Sequence, residues 1–322
     1  MTPESGEAPA GWPRVSVVIP TLNEARNLPH VFARLPADLH EVIVVDGHSV
    51  DGTLAVARSL RPDVRVVLQT RKGKGNALAC GFAAADGDVI AMIDADGSAD
   101  PGEIPRFVQA LTAGSDFAKG TRYARGGGSS DLTRIRSLGN RVLSALVNLR
   151  YRTRYSDLCY GYNVFWRHVL PVLDLDASSP PRADGAPLWG DGFEVETLIN
   201  IRIARARLTV TEVPSFEHPR IHGLSNLNAV GDGLRVLRTI LSEGRRSRRR
   251  LARPAGPDAR EAPHAAGPGR RESAVCPPGG HESAVLGTLR GAGAAGLHRY
   301  SWREAHGPGI PSEPAVDSTP LL

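Results

Sequence analysis

DVIAMIDADGSADP, residues 88–101, decides the fold. Val89 to Ile93 is an unbroken apolar run, the pattern of a strand buried on both faces. Asp94 and Asp96 follow at its carboxyl end, and Gly97, Ser98 and Pro101 supply a turn and a helix start. In open α/β sheets, ligands gather beyond the carboxyl ends of the strands. Two carboxylates at that place form a hard oxygen site suited to Mg2+ or Mn2+, ions that commonly also hold substrate phosphates. Taken alone, the pair reads equally well as a turn that caps the next helix. The surrounding sequence separates the two readings.

Upstream, VSVVIPTLNEARNLP (15–29) starts as a buried strand over Val15 to Ile19 and turns at Pro20-Thr21-Leu22-Asn23-Glu24. A helix is expected from about Glu24 to Leu35. EVIVVDGHSVDGT (41–53) is a second strand that breaks at Asp46, and Val64 to Gln69 is a third. Gly75 to Ala85 reads as a helix leading into the strand before Asp94. Strand and helix alternate with short loops, which predicts a mainly parallel sheet with flanking helices.

VVIPTLNE, VVDGHSVDGT, KGKGNAL and MIDADGS, in this order and at these distances, resemble family 2 glycosyltransferases of the GT-A fold. The pattern is nearest to the dolichyl- and polyprenyl-phosphate mannosyl- and glucosyltransferases, and the resemblance covers about Arg14 to Gly244. It implies a Rossmann-like α/β domain, a nucleotide-sugar donor of the GDP-mannose or UDP-glucose type, and Mg2+ or Mn2+ held by Asp94 and Asp96. It implies that Pro20, Thr21, Asn23 and Glu24 line the base and ribose pocket, that Asp46 contacts the base, and that Lys72 and Lys74 lie near the donor. KGKG does not fit a dinucleotide fingerprint, because the third glycine is missing, nor a P-loop, because Asn76 stands where Ser or Thr is needed.

Later segments carry the acceptor side of the resemblance. DFAKGTRYARGG (116–127) places Arg122 at a strand end, where relatives aim an arginine at phosphate. SDLCYGYNVFW (156–166) supplies Asp157, Gly161 and Tyr162. EVPSFEHPRIHGLSNL (212–227) resembles an R-x-x-G-x-S-K-L element through Arg220, Gly223 and Ser225, but Asn226 replaces its lysine and removes one cation from the phosphate site. Asp191, Glu194 and Glu196 are candidate carboxylates near the acceptor, or else charges at a helix start that complement its dipole. The resemblance thus gives Asp94, Asp96, Arg122 and Arg220 as catalytic residues. Acceptor binding falls to Arg122, Asp157, Glu194, Arg220 and Ser225. His218 and His222 are four apart, yet Pro219 opposes the helix that would align them on a metal.

The chain has 322 residues with 41% hydrophobic and 23% charged residues, enough for one large α/β domain, and its net charge of +5 favours anionic partners. Three distant cysteines argue against a disulfide framework or a zinc site and fit a reducing cytoplasm. No signal peptide and no transmembrane run is expected. Residues 1–13 read as a flexible N-terminus and 14–244 as the catalytic domain. From Arg245 to Leu322, Gly, Pro, Ala and Arg dominate without periodicity, which predicts a disordered basic tail.

Two amphipathic stretches, near 132–150 and 224–241, carry apolar residues at three- and four-residue spacing beside arginines. The pattern suits helices packed on the domain and equally helices lying at a membrane interface; the resemblance adds that such helices face the bilayer. The sequence therefore predicts a metal-dependent inverting hexosyltransferase acting on polyprenyl phosphate at the cytoplasmic membrane face, with no nucleic acid expected. The same fold acting on a soluble sugar or secondary-metabolite acceptor is the alternative that Asn226 favours. A sugar-nucleotidyltransferase would need a Gly-rich loop after the first strand, and a non-catalytic lipid- or nucleic-acid-binding module would need no Asp94–Asp96 pair.

Overall fold

The computed structural model describes residues 11–223 and 229–251. Nine strands alternate with helices: β1 (Val15–Thr21), α1 (Leu28–Phe32), β2 (Glu41–Asp46), α2 (Thr53–Leu60), β3 (Arg65–Leu68), α3 (Lys74–Ala84) and β4 (Val89–Met92). They continue with α4 (Ile104–Thr112), β5 (Phe117–Thr121), β6 (Gly128–Ser129), α5 (Arg134–Tyr151), β7 (Asn163–Trp166) and α6 (Leu170–Leu173). Last come α7 (Val195–Ala206), β8 (Val210–Pro214), β9 (Phe216–Glu217) and α8 (Ala229–Leu251).

Seven strands form one sheet in the order β3-β2-β1-β4-β7-β5-β8. Every pairing is parallel except those of β7, which runs antiparallel to both β4 and β5. The mainly parallel α/β sheet expected from the strand–helix alternation is thus the observed one. Val17, Val44 and Ala91 pack one face against α1 and α4, while Val18, Ile43 and Met92 pack the other against α3 and α7. Burial on both faces is why β1, β2 and β4 read as continuous apolar runs. β6 and β9 pair in a separate two-stranded sheet beside the ends of β5 and β8.

The first helix is shorter than the expected 24–35. α1 has five residues, because the chain before it is held to the 49–53 turn instead of to itself. The Asn23 amide donates to Ser49 Oγ at 2.8 Å, the Glu24 amide to Thr53 Oγ1 at 2.9 Å and the Ala25 amide to Asp51 Oδ2 at 3.0 Å. At the other end, α8 continues to Leu251, past the expected start of the tail at Arg245. The run Arg245 to Arg250 contains no Gly or Pro, and arginine is a good helix former. The rest of the expected tail, 252–322, and residues 1–10 of the expected N-terminus lie outside the described residues, as does Ser225.

The two amphipathic stretches are α5 and α8. α5 is not simply a core helix: Asn140, Ser144 and Val147 are buried, but Ile135 is 78%, Leu138 65%, Val142 60% and Leu149 83% exposed. Among the described residues no helix is long and apolar enough to cross a membrane.

Candidate active site

The carboxyl ends of β1, β2 and β4 converge on the segment after β4. Asp94 and Asp96 both lie there, past the last paired residue of the strand. Lys74, at the start of α3, places its ammonium 2.7 Å from Asp94 Oδ1 and 2.6 Å from Glu196 Oε1. Burial works against the charge on Lys74, but the two carboxylates outweigh it and hold its pKa well above the ordinary lysine value. Asp96 faces Arg220, whose Nη1 lies 3.4 Å from Asp96 Oδ2. Nη2 of Arg220 pairs with Glu24, and its Nε donates to the His222 carbonyl at 2.7 Å. The segment that carries Arg220 is laced along the turn after β4: the Ile221 amide donates to the Asp96 carbonyl at 3.2 Å and the His218 amide to the Ser98 carbonyl at 2.8 Å.

The residues expected to line the base pocket gather beside this turn. Asp46 is buried at the end of β2; its Oδ1 accepts from Thr21 Oγ1 at 3.4 Å and its Oδ2 from the Ser49 amide at 2.9 Å. Pro20 and Thr21 end β1, in register with Val45 and Asp46. Asn23 adopts a left-handed backbone, φ 58°, and its Oδ1 accepts from the Val50 amide at 2.9 Å. Glu24 Oε2 accepts from Asn27 Nδ2 at 2.5 Å. Lys72 is exposed and makes no polar contact among the described residues.

The donor set at this turn fits a divalent cation. Asp94 and Asp96 offer hard oxygen ligands, already neutralised by Lys74 and Arg220. Mg2+ and Mn2+ typically use one or two carboxylates and complete their shell with water and substrate phosphates, so no third protein ligand is needed. Among the described residues, a tighter trio of potential ligands occurs only at His40, Glu41 and Asp86, near the amino ends of the strands. There Arg65 lies 3.4 Å from Glu41 and Arg14 Nη1 lies 3.5 Å from His40 Nε2, which makes that cluster a surface ion-pair network.

The glycines of KGKG have a different task from cradling phosphate. Gly73 has φ 121°, and a Cβ there would lie 2.1 Å from the Asp191 carbonyl oxygen; one on Gly75 would lie 1.8 Å from that of Gly190. The loop at 190–192 therefore touches the start of α3 backbone to backbone, with the Gly75 amide donating to the Asp191 carbonyl at 2.7 Å. The Asp191 carboxylate is taken by Arg71, whose Nε and Nη2 donate to it at 2.9 and 2.8 Å. Glu194 Oε1 accepts from the amides of Gly190 and Gly192 at 3.1 and 3.3 Å. Both carboxylates expected near an acceptor thus brace this loop, and only Glu196 of the three reaches the Asp94 side, through Lys74.

Arg122 also differs from the expected free phosphate ligand, and Asp157 from an acceptor-binding carboxylate. Asp157 is 0% exposed. Arg122 donates from Nε to Asp157 Oδ2 at 2.7 Å, from Nη2 to Oδ1 at 2.8 Å and from Nη1 to Glu217 Oε2 at 2.9 Å. Asn140 Nδ2 donates to the same Asp157 at 2.9 Å. Burial opposes ionisation of Asp157, but the hydrogen bonds and charge of Arg122 win and hold its carboxyl below the ordinary range. The guanidinium is a wall of the site with its nitrogens committed. Below it, Lys119 is wholly buried and donates to the Tyr160 carbonyl at 2.9 Å. Burial pushes its pKa down, only partly offset by Asp157 and Glu212.

In front of that wall is a cavity of about 420 Å3 lined by Arg122, Tyr123, Ser129, Leu132, Arg134, Ser137, Leu138 and Arg141. Arg134 and Arg141 have no carboxylate partner among the described residues, and Arg141 lies over the Tyr123 ring at 5.5 Å. Sequence reasoning named Arg122 and missed these two, although both arginines stand in the amphipathic stretch it singled out.

Comparison with known proteins agrees with this architecture. Residues 16–172 match the model for glycosyl transferase family 2. An uncharacterized glycosyltransferase of Mycobacterium tuberculosis is 35% identical over 219 residues, 66% of this chain and 89% of that protein. The dolichol-phosphate mannosyltransferase of Pyrococcus furiosus is 41% identical over 121 residues, 35% of this chain and 34% of that protein. The crystal structure of glucosyl-3-phosphoglycerate synthase from Mycobacterium tuberculosis, in complex with Mn2+, UDP and glucosyl-3-phosphoglycerate, aligns with a TM-score of 0.55 at 26% identity, covering 72% of this chain and 80% of that one. With the ordered motifs, the parallel sheet and the acidic turn at its carboxyl edge, these matches show that the chain is a glycosyltransferase and belongs to glycosyl transferase family 2.

Proposed function

We propose that this glycosyltransferase moves a hexose from a nucleotide-diphosphate sugar to a polyprenyl phosphate, with inversion, at the cytoplasmic face of a membrane. One observation carries the choice of acceptor. Leu138 lines the cavity that holds Arg134 and Arg141, and it also belongs to the exposed apolar stripe of α5 with Ile135, Val142 and Leu149. A phosphate headed by a long apolar chain suits such a junction: unpaired guanidiniums take the phosphate, and the stripe meets apolar surface.

In this reading Asp46, Thr21 and Glu24 position the nucleoside, and Asp94 and Asp96 hold Mg2+ or Mn2+. When bound, that ion neutralises charge developing on the departing diphosphate. Lys74 holds Asp94 in place from the side of α3. Arg134 and Arg141 bring the acceptor phosphate in, already ionised, so its oxygen attacks without a strong general base. Arg220 reaches the metal turn on the segment it shares with Ile221 and His222.

A second reading, a water-soluble phosphorylated acceptor, is favoured by the related synthase crystallised with phosphoglyceric acid, which covers 72% of this chain. One assay decides between them. Purified full-length protein with Mn2+ and a panel of labelled nucleotide sugars is given polyprenyl phosphate in detergent or phosphoglyceric acid in buffer. Label extracted into organic solvent, and lost in Arg134→Ala/Arg141→Ala, supports the lipid acceptor. Label confined to the aqueous phase overturns it.

A further inference from the structure

A second arginine-rich cavity stands at the opposite end of α5. It measures about 590 Å3 and is lined by Tyr151, Arg152, Arg154, Tyr155, Arg205 and Arg207, with Leu208 and Val210 as apolar floor. It opens near the start of β8, whereas Arg122 stands just past the end of β5; Phe117 pairs with Val210, so the length of strand β5 lies between them. Neither the donor turn nor the acceptor cavity uses any of its residues.

Its charge is not spent on internal pairing. Arg205 Nη1 lies 3.2 Å from Glu243, but the guanidiniums of Arg152, Arg154 and Arg207 have no hydrogen-bond or ion-pair partner among the described residues. The one carboxylate in the lining, Glu212, is occupied, accepting from the Ser156 amide at 2.8 Å and Ser156 Oγ at 2.7 Å. The two tyrosine hydroxyls are turned away, Tyr151 donating to the Ile240 carbonyl and Tyr155 to that of Asn200. Arg152 and Arg207 sit in left-handed conformation, φ 58° and 57°, at the ends of α5 and α7, where a cation also complements the helix dipole. That explanation does not extend to Arg154, beyond the helix end, nor to the convergence of three unpaired guanidiniums on one concavity.

The exposed apolar stripe of α5 runs between the two basic cavities. Leu138 lines the first, and Leu149, 83% exposed, comes two residues before Tyr151 at the second. α5 has 18 residues, about 27 Å of helix. A helix lying with this stripe against lipid presents arginines at both ends to the headgroup layer, where phosphate oxygens are the acceptors that guanidinium forks match best. We propose that the cavity of Arg152, Arg154 and Arg207 binds the phosphate of an anionic phospholipid headgroup and serves as a second anchoring site, separate from donor and acceptor. The site does not depend on which acceptor the enzyme uses.

The test is vesicle co-sedimentation of the full-length protein with phosphatidylcholine alone or mixed with phosphatidylglycerol, and calorimetry with inorganic pyrophosphate. Arg152→Gln/Arg154→Gln/Arg207→Gln is compared with a charge-matched control, Arg58→Gln/Arg106→Gln/Arg167→Gln. The expected result is binding to phosphatidylglycerol vesicles at least about tenfold weaker in the cavity variant. The control stays within about threefold of wild type, and turnover on detergent-dispersed or soluble substrates is unchanged. Arg154→Gln alone, outside both helix caps, should weaken vesicle binding with an unaltered melting temperature. Equal loss in cavity variant and control means diffuse attraction, and it overturns the site. So does unchanged vesicle binding in the cavity variant. Pyrophosphate binding that the cavity variant loses, without any difference on vesicles, overturns the lipid assignment in favour of a soluble phosphate.

Discussion

The two halves of the sheet carry similar numbers of prominent charges and use them in opposite ways. In the β2-β1-β4 half, Asp94 and Asp96 stand past a strand end, partly exposed, each touched by a cation on another element. In the β7-β5-β8 half, Asp157 is sealed from solvent and clamped by Arg122, which also holds Glu217. The first arrangement keeps its carboxylates accessible to a ligand. The second removes them from chemistry, because a buried ion pair resists separation and leaves an unpaired buried charge if one member is lost. A charged residue beside an active site is thus either reagent or framework, and burial decides which.

The sharpest break between the halves is Asp96→Ala. It should lower turnover at least about 10^3-fold, several kcal/mol of lost charge stabilisation, while the melting temperature stays near wild type. Loss of fold along with activity would make Asp96 framework as well. Next, Asp157→Asn should destabilise the protein by about 3 kcal/mol, read from urea unfolding, since buried Arg122 loses its two-pronged charge partner and keeps only Glu217. If Asp157→Asn unfolds like wild type yet cannot transfer sugar, the contrast collapses. A smaller effect, about 1–3 kcal/mol, is expected for Gly75→Ala, whose Cβ would meet the Gly190 carbonyl oxygen at 1.8 Å. That substitution should also disturb activity by moving Lys74, and a neutral Gly75→Ala would mean that the 190–192 loop yields freely.

The smallest effect is a pH dependence. The Asp157 carboxyl is held below its ordinary value, so its contribution to stability is complete above the unfolded pKa, about 3.9, and is lost as pH falls through the lower folded pKa. Unfolding free energy should therefore fall as the medium is acidified below about pH 4, and the slope should be shallower in Asp157→Asn. Parallel slopes would assign the acid sensitivity to other carboxylates.

The strands and turns of the β2-β1-β4 half were readable because they are local. β1, β2 and β4 are apolar runs ending in polar turns, and Asp94 and Asp96 sit at the end of one of them. The end of β5 was less readable because its partners are remote: Arg122 meets Asp157 and Glu217 at separations of 35 and 95 residues. Nothing in TRYARGG says that the arginine is already engaged. The string KGKG fits neither a dinucleotide fingerprint nor a P-loop, and only the approach of Gly190 and Asp191 explains its glycines. Lys119, between Ala118 and Gly120 in a strand, did carry a signal, since a lone lysine in a buried run must find a carbonyl or a carboxylate.

One further consequence follows from the placement of β7 between β4 and β5. The β3-β2-β1 block is built from successive strand–helix units, pairing Ser16 with Glu41 and Ile43 with Arg65, whereas β4 pairs with β1 only across the residues from Val15 to Val89. β7 must travel back across α5 to pair with β4, in register Val89 with Trp166, before β5 and β8 can join the same sheet. Loop-closure entropy makes such remote pairing slow relative to the local units. The β3-β2-β1 block is therefore expected to assemble first, and the lock of Arg122, Asp157 and Glu217 can close only after β7 has docked. In a refolding experiment, protection of amides in β1 and β2 should precede protection in β5 and β8.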